Sequence, residues 1–465
     1  MSDKIKVVVI GGGPGGYVAA IRASQLGGDV TLVEKEYLGG TCLNVGCIPT
    51  KALLHSAEIY EEAVEGAKYG IFANDIKIDF TKVQERKKLV TKQLVSGVKG
   101  LLAANKVKVV FGEATFTGKD SIAIKTEKGT ETIKADKFIV ATGSIPAKPP
   151  IPGIESTKCI DSTGALELQE VPKTMIIVGG GVIGVEIATL YSTLGCKITI
   201  IEMLDEILPM MDGELTKSIR SKLAKKGVEI NTGAKVMSFK DNGDNVDVTV
   251  QMSDGKTKVF SGDKALISIG RRTNTQTIGL DKAGIVNDRG RITVNNKMET
   301  NVPGIYAIGD CVGQIMLAHI ASTQGEVAAE NALGHCNVFD SKTNPSCVYT
   351  KPEFASVGLT EEEAKIKGID YIVGKFPLAA NGRAMIMGED GMIKIIAGKE
   401  YKEILGAHIL GPRATDLIQE LALAIQMEAT IDEVIATIHA HPTVAEAIKE
   451  AALSVDKRAI HIPNK

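Results

Sequence analysis

One pattern of hydrophobic and polar positions occurs twice along the chain. Val7-Val8-Val9-Ile10 is an unbroken apolar run that stops at a glycine cluster, Gly11-Gly12-Gly13-Pro14-Gly15-Gly16. A helical pattern follows from Tyr17 to Leu26, and Val30-Thr31-Leu32-Val33 then closes on Glu34. The order returns with Met175-Ile176-Ile177-Val178, Gly179-Gly180-Gly181-Val182-Ile183-Gly184, a helical pattern to Leu194, and Lys197-Ile198-Thr199-Ile200-Ile201 before Glu202. Glycines and closing acids match at a constant offset of 168 residues (179 − 11, 202 − 34). Short apolar runs of this kind predict strands, here in two strand–turn–helix–strand units.

The rest of the chain divides around these units. Residues 1–148 form the first, with inserted helices predicted over Thr50–Gly66 and Lys82–Ala104 and a strand-rich return ending Phe138-Ile139-Val140-Ala141-Thr142-Gly143. The proline-rich stretch Pro146–Pro152 marks a boundary, and the second unit spans 149–274, closing with Ala265-Leu266-Ile267-Ser268-Ile269-Gly270-Arg271. Beyond Pro345, strands and helices alternate without a glycine fingerprint, which predicts a separate assembly or substrate domain.

The spacing Gly-x-Gly-x-x-Gly between a strand and a helix, with an acid at the next strand's end, is the dinucleotide-binding fingerprint in its proper context. Gly11 and Gly179 allow the sharp turn, and Gly13 and Gly181 present no Cβ to a pyrophosphate. Gly16 and Gly184 let helix and sheet pack closely, while the helix N-terminus offers free N–H groups to the anion. Glu34 and Glu202 are placed to accept hydrogen bonds from an adenosine ribose. Two dinucleotides on one chain are best used to pass electrons between a flavin and a nicotinamide. Met203 and Leu204 follow Glu202 with no basic residue beside it, so the nicotinamide site is expected to prefer NAD over NADP.

Composition narrows the alternatives. Glycine supplies 49 of 465 residues, no tryptophan is present, and the formal net charge is −2. Bulk charge therefore recruits neither nucleic acid nor an anionic membrane. The N-terminus Met1-Ser2-Asp3-Lys4-Ile5-Lys6 runs into a strand rather than a signal-peptide core. Seven cysteines in this length do not make a secreted scaffold, so a cytoplasmic protein is expected.

Two of those cysteines stand together in Gly39-Gly40-Thr41-Cys42-Leu43-Asn44-Val45-Gly46-Cys47-Ile48-Pro49-Thr50-Lys51. A regular helix rises about 7.5 Å over five residues, so bridging the pair needs a distorted turn, which Gly46 permits. A thiol at a helix start is made more acidic by the dipole. Three readings compete: a structural disulfide, which a reducing compartment disfavours; a zinc site, for which no second pair supplies ligands; and a redox-active disulfide beside a flavin. Cys311 reads as a small buried residue, Glu85-Arg86-Lys87-Lys88 as the wet face of a helix, and Arg271-Arg272 as either a nicotinamide contact or a solvated pair. His439 and His441 have no acid or cysteine cluster to complete a metal site, and no metal is expected.

Across its full length the sequence resembles the flavin-dependent pyridine nucleotide–disulfide oxidoreductases. The cysteine run, Tyr306-Ala307-Ile308-Gly309-Asp310, Met316-Leu317-Ala318-His319 and His441-Pro442-Thr443 carry the likeness. The resemblance implies an α/β fold: two Rossmann-like domains, for FAD and NAD, plus a C-terminal α+β dimerisation domain. It adds a central domain over 275–345 that completes the FAD site, an interface domain over 346–465, and a homodimer. It implies that Cys42 exchanges with a substrate dithiol and Cys47 lies against the flavin. Lys51 would sit near the flavin's reactive nitrogen, paired with Glu186, and Asp310 would bond the ribitol with Ala318 beside it. Further cofactor contacts are implied at Ala114, Thr142, Gly143, Val236 and Gly270. His441, serving the partner subunit's disulfide, would be the acid–base catalyst, with Glu446 orienting it. Thr443-x-x-Glu446 also satisfies a capping box, so Glu446 is equally placed to close the next helix. Thr50, where many relatives have serine or lysine, is expected to cap or face solvent.

The implied activity is oxidation of protein-bound dihydrolipoamide to lipoamide with reduction of NAD. The dihydrolipoyl domain of an acyltransferase, or the glycine cleavage carrier, would be the partner. The alternative is an NAD(P)H-dependent reductase of another disulfide such as glutathione. A mercuric reductase would carry a further cysteine pair at its end, where this chain reads Ile460-His461-Ile462-Pro463-Asn464-Lys465.

Overall fold

A computed structural model describes residues 4–464; Met1–Asp3 and Lys465, on which the readings of the two chain ends partly rest, lie outside the described residues. Each glycine unit builds a five-stranded parallel sheet. In the first the order is Ile305–Ala307, Lys137–Val140, Lys6–Ile10, Asp29–Glu34, Lys108–Phe111. In the second it is Glu229–Asn231, Lys197–Ile201, Thr174–Val178, Lys264–Ile267, Cys159–Ile160. Val7–Ile10 and Met175–Val178 are buried on both faces, as uninterrupted apolar runs require.

The duplication extends beyond the fingerprints. Before Lys137–Val140 in the first unit and Lys264–Ile267 in the second comes a three-stranded antiparallel meander, Glu113–Gly118, Ser121–Thr126 and Gly129–Lys134 in the first, Lys235–Asp241, Val246–Gln251 and Thr257–Gly262 in the second. No constant offset joins the meanders, because only the first unit carries the inserted helices Cys47–Val64 and Phe80–Ala104. At the boundary the chain crosses between units twice, side by side: Ser144–Pro146 pairs antiparallel with Arg271–Thr273.

Residues 275–345 have no separate core. Ile305–Ala307 pairs with Lys137–Val140 at the edge of the first sheet, and Ile278, Leu280, Ile285 and Ile292 pack with Val8, Ile10 and Phe116. The helix Ala318–Ala332 lies against Pro14–Gln25 so closely that a Cβ on Gly325 would stand 2.6 Å from the Gly15 carbonyl oxygen. The C-terminal part is a five-stranded antiparallel sheet, Ser346–Val348, Glu353–Gly358, Ile404–Gly411, Met392–Gly398, Tyr371–Pro377, with helices Ala414–Gln426 and Glu446–Val455 packed on it around its own apolar core.

Two buried lysines tie parts together. Lys394, in the C-terminal sheet, is 1% exposed and reaches Asp212 at 2.9 Å, Glu361 at 2.8 Å and Glu214 at 3.1 Å. Asp212 is itself fully buried and caps the second unit's helix Gly213–Lys225 through Glu214 and Leu215 N–H. Lys394 holds the Glu361 carboxyl down to about 2, despite the opposing effect of burial. Lys87 corrects the expectation of a wet helix face. It is buried and donates to the Leu166 carbonyl oxygen at 2.7 Å, satisfying the end of the Ser162–Leu166 helix, and to Glu167 at 2.7 Å.

Candidate active site

One cleft of about 2620 Å³ runs between the glycine turns and the C-terminal sheet. Ordinary ligand pockets measure about 300–1,000 Å³, so this one has room for more than one ligand. It is lined by Gly11, Gly13, Glu34, Cys42, Cys47, Lys51, Ala114, Thr142, Gly143, Gly179, Gly181, Glu186, Glu202, Val236, Gly270, Asp310 and Ala318. Gly16 and Gly184 do not line it. A Cβ there would stand 1.9 Å from the Gly11 carbonyl oxygen and 2.1 Å from that of Gly179, so these two glycines are packing positions.

The two turns are built alike. Gly11 and Gly179 take φ of +108° and +106°, where a side chain would strike the backbone at Ala141 and Ser268. Glu34 accepts from Gly12 N–H at 2.6 Å and from Glu36 N–H at 2.7 Å; Glu202 accepts from Gly180 at 2.6 Å and Leu204 at 2.7 Å. Each carboxylate is thereby fixed at a strand end with lone pairs left for ribose hydroxyls. A Cβ on Gly13 would meet only Gly40 Cα at 3.8 Å, and one on Gly181 nothing within 4 Å, so both turns leave the space a pyrophosphate needs. The Thr142 Oγ1 is buried beside the first turn with no hydrogen-bond partner among the described residues. These residues fit two dinucleotides.

The cysteines sit where two helices meet. Gly40–Val45 carries Cys42; the backbone breaks at Gly46 (φ −143°, ψ −116°), and Cys47 begins the helix Cys47–Val64. A Cβ on Gly46 would lie 2.8 Å from the Thr41 carbonyl oxygen. Both cysteines are thiols here, and Cys42 is hydrogen-bonded to Cys47. That bond acts first to lower Cys47 to about 7; burial opposes, and the Lys51 ammonium lowers it further. Cys42 is pushed well above the usual thiol range, chiefly because its proton is held in the same bond. The two thiols titrate as a pair, and the Lys51 ammonium favours the pair's negative charge beside Cys47. Thr50 neither caps nor faces solvent: it is buried, and its hydroxyl donates back to Gly46 O at 2.7 Å.

Lys51 lies one turn along that helix and pairs with Glu186 at 2.8 and 2.9 Å. Glu186, 5% exposed, comes from the second unit. A third element closes the group: Tyr349 donates its backbone N–H to Glu186 at 3.0 Å, and its ring lies 4.4 Å beneath the Lys51 ammonium. Sequence reasoning missed Tyr349, since no spacing connects it to residues 163 and 298 positions away (349 − 186, 349 − 51). Of the two readings of Arg271-Arg272 the solvated one fails for Arg271, whose guanidinium bonds Ser144 Oγ and O at 2.7 Å, while Ser144 Oγ donates to Asp310 at 2.5 Å. Arg271 thus braces Asp310, and Arg272 alone is solvated. Cys311 is fully buried, its thiol against the carbonyl oxygens of Ile308 and Val140.

His441 is elsewhere. It does not line the cleft, and its side chain is 80% exposed. Its Nδ1 stands 2.9 Å from Glu446 Oε1, and Glu446 Oε2 accepts from Thr443 N–H at 2.9 Å. Only half a capping box forms, because the Thr443 hydroxyl, which donates to Ala440 O, accepts from no helix N–H among the described residues. Burial disfavours the Glu446 charge, yet the Thr443 N–H and the His441 ring outweigh it and hold the carboxyl below its usual range. His439 turns away to Glu420 at 2.8 Å. Among the described residues no group of three or more His, Cys, Asp or Glu side chains is arranged to hold a metal ion, and no helix is long and apolar enough to cross a membrane.

Comparison with known proteins agrees with this geometry. Residues 5–325 match the pyridine nucleotide-disulphide oxidoreductase family, and residues 344–452 match the dimerisation domain of the same family. A dihydrolipoyl dehydrogenase of Geobacillus stearothermophilus is 46% identical over 463 residues, covering 99% of this chain and 98% of that protein. The mitochondrial dihydrolipoyl dehydrogenase of Pisum sativum is 44% identical, with 99% and 93% covered. Among solved structures, LpdA from Mycobacterium tuberculosis superimposes with a TM-score of 0.89 at 30% identity, over 96% of this chain and 99% of that one.

Proposed function

Because the chain belongs to the pyridine nucleotide–disulphide oxidoreductases, enzymes that use FAD and NAD(H) and dimerise through their C-terminal domain, we propose that it oxidises protein-bound dihydrolipoamide with NAD as acceptor. The observation that carries this reading is the Cys42–Cys47 pair, one thiol acidic and one not, beside an ion pair that spans both dinucleotide units. In this reading residues 1–148 and 275–345 hold FAD, 149–274 hold NAD, and 346–465 form the dimer.

His441 takes the proton of a substrate thiol, and Glu446 holds the ring so that Nε2 faces outward. Its exposure and its place outside the cleft support service to the partner subunit's disulfide. The substrate thiolate attacks Cys42 in the oxidised pair; the substrate's second thiolate then displaces Cys42 and closes the lipoyl ring, leaving a dithiol on the enzyme. Cys47 holds the negative charge of that dithiol, stabilised by the Cys42 hydrogen bond and by Lys51. When bound, FAD would supply the two-electron chemistry that links this dithiol to NAD. Gly11, Gly13, Glu34, Thr142 and Asp310 would hold FAD, and Gly179, Gly181 and Glu202 would hold NAD. A carboxylate at 202, followed by Met203 and Leu204, repels a 2′-phosphate.

The partner in this reading is the dihydrolipoyl domain of an acyltransferase or of a glycine cleavage carrier, and the compartment is the cytoplasm. The test is NADH formation from dihydrolipoamide, with NADP run alongside. Rapid turnover with NAD alone is expected; a flavin-loaded enzyme inert with both would overturn the substrate assignment.

A further inference from the structure

The strand Arg271–Thr273 and the hairpin Asn287–Asp288/Arg291–Ile292 bound a second cavity, of about 310 Å³. It adjoins the main cleft, since Arg271 and Met316 line both. Among the described residues four arginines line it, Arg271, Arg272, Arg289 and Arg291, and no carboxylate does. Arg271 is committed to Ser144 and lies 4.0 Å from Asp310. Arg289 approaches only Asp288, at 3.4 Å, and among the described residues Arg272 and Arg291 make no side-chain hydrogen bond or ion pair. Arg289 also occupies a left-handed position, φ +50° before Gly290 at +85°, in a two-residue turn where Asn-Gly is the common choice.

Four like charges line one concavity, although this chain has net charge −2 with no general excess of base. Such a cluster in a concave site focuses positive potential on whatever enters. The guanidinium fork matches phosphate oxygens two at a time. A flat acidic protein surface would need no cavity, whereas a compact anion would fill one.

We propose that this cavity binds a small multivalent phosphate, either free pyrophosphate or the diphosphate end of a nucleotide, through Arg272, Arg289 and Arg291. Arg271 then connects occupancy to the main cleft, because the anion competes with Ser144 and Asp310 for its guanidinium. The site is separate from both glycine turns and from the dithiol.

The test is isothermal calorimetry on the FAD-loaded enzyme saturated with NAD, titrated with inorganic pyrophosphate and, separately, with ADP. One saturable site per chain is expected. Arg272→Gln, Arg289→Gln and Arg291→Gln should each weaken it by about tenfold or more, the loss of a charge-assisted pair. Arg289 is 91% exposed, so its variant keeps the fold. The flavin absorbance should move during the titration of the wild type and not of Arg291→Gln. Tighter binding of ADP would make a nucleotide the source; equal affinity would make it free phosphate. No saturable binding, binding abolished by NAD, or binding unchanged in the three variants would overturn the proposal and leave a solvated basic patch.

Discussion

Replacing Lys51 by methionine should slow the chemistry of Cys47 without moving its sulfur. In the structure Cys47 is lowered to about 7, by the Cys42 hydrogen bond first, with the Lys51 ammonium adding and Glu186 opposing. The substitution removes the favourable charge and leaves Glu186 uncompensated, so the thiol moves up toward 9.0, its ordinary value. A thiol at about 7 is half ionised at pH 7, one at about 8 is roughly 9% ionised, and one at about 9 roughly 1%. Alkylation of Cys47 at pH 7 should therefore slow about 5- to 50-fold. The assay is iodoacetamide labelling of the reduced enzyme from pH 5 to 10, with Cys47 quantified by mass spectrometry, because Cys336 is also exposed. Labelling of the wild type should rise through pH 7, and that of Lys51→Met one to two units later. Lys51→Arg keeps the charge and should restore the early rise. Identical profiles for wild type and Lys51→Met would refute the argument that this ammonium sets the thiolate.

Three further substitutions separate fold from function. Gly181→Val adds its Cβ in open space at an ordinary φ of −72°, so the melting temperature should hold while the KM for NAD rises by about tenfold or more, a clash with ligand rather than protein. His441→Gln should leave the flavin bound and cut dihydrolipoamide oxidation by about 10²–10⁴-fold; a loss under threefold would end its assigned role. Lys394→Met strands the buried Asp212 and should cost about 3–5 kcal/mol, much of it recovered in the double variant with Asp212→Asn. The Glu361 share has a definite sign. Its folded pKa lies below its unfolded one, so that stability is present above about 4.5, drains as pH falls toward about 2, and is reduced in Lys394→Met, where Lys365 and Tyr371 still bond Glu361.

Much of this was legible from local pattern, because a turn that must bring backbone against a phosphate tolerates few residues. Gly11, Gly13 and Glu34, with their copies at Gly179, Gly181 and Glu202, announce two such turns by spacing alone, and Cys42 and Cys47 fall within six residues of one another. What stayed hidden depends on where a long side chain ends. Lys87 was assigned to solvent for its charge, yet its stem crosses to a carbonyl oxygen at another helix's end, where an ammonium is well satisfied. Arg271 and Asp310 meet through Ser144, and Tyr349 reaches Lys51 from the opposite half of the chain. Such contacts are made by three domains docking, and no periodicity within one element records them. The half-formed box at Thr443 shows the same limit: both readings of Glu446 were available, and only the geometry assigns one carboxylate oxygen to each.

The strand Ile305–Ala307 belongs to a sheet whose other members all precede residue 141. The second glycine unit is thus an insertion within the first one, and a ribosome must make it before its host can close. At about 5–20 residues per second, the 165 residues from 140 to 305 take roughly 8–33 s. Through that interval Lys137–Val140 is a hydrophobic edge with unpaired N–H and C=O groups, and the face of Pro14–Gln25 that receives Ala318–Ala332 is bare. The inserted unit, whose sheet strands all lie between Cys159 and Ile267, is complete by then and has no such wait. Nascent chains of this protein should therefore acquire the later half of the duplication first, with the earlier half depending on chaperones until its last strand emerges.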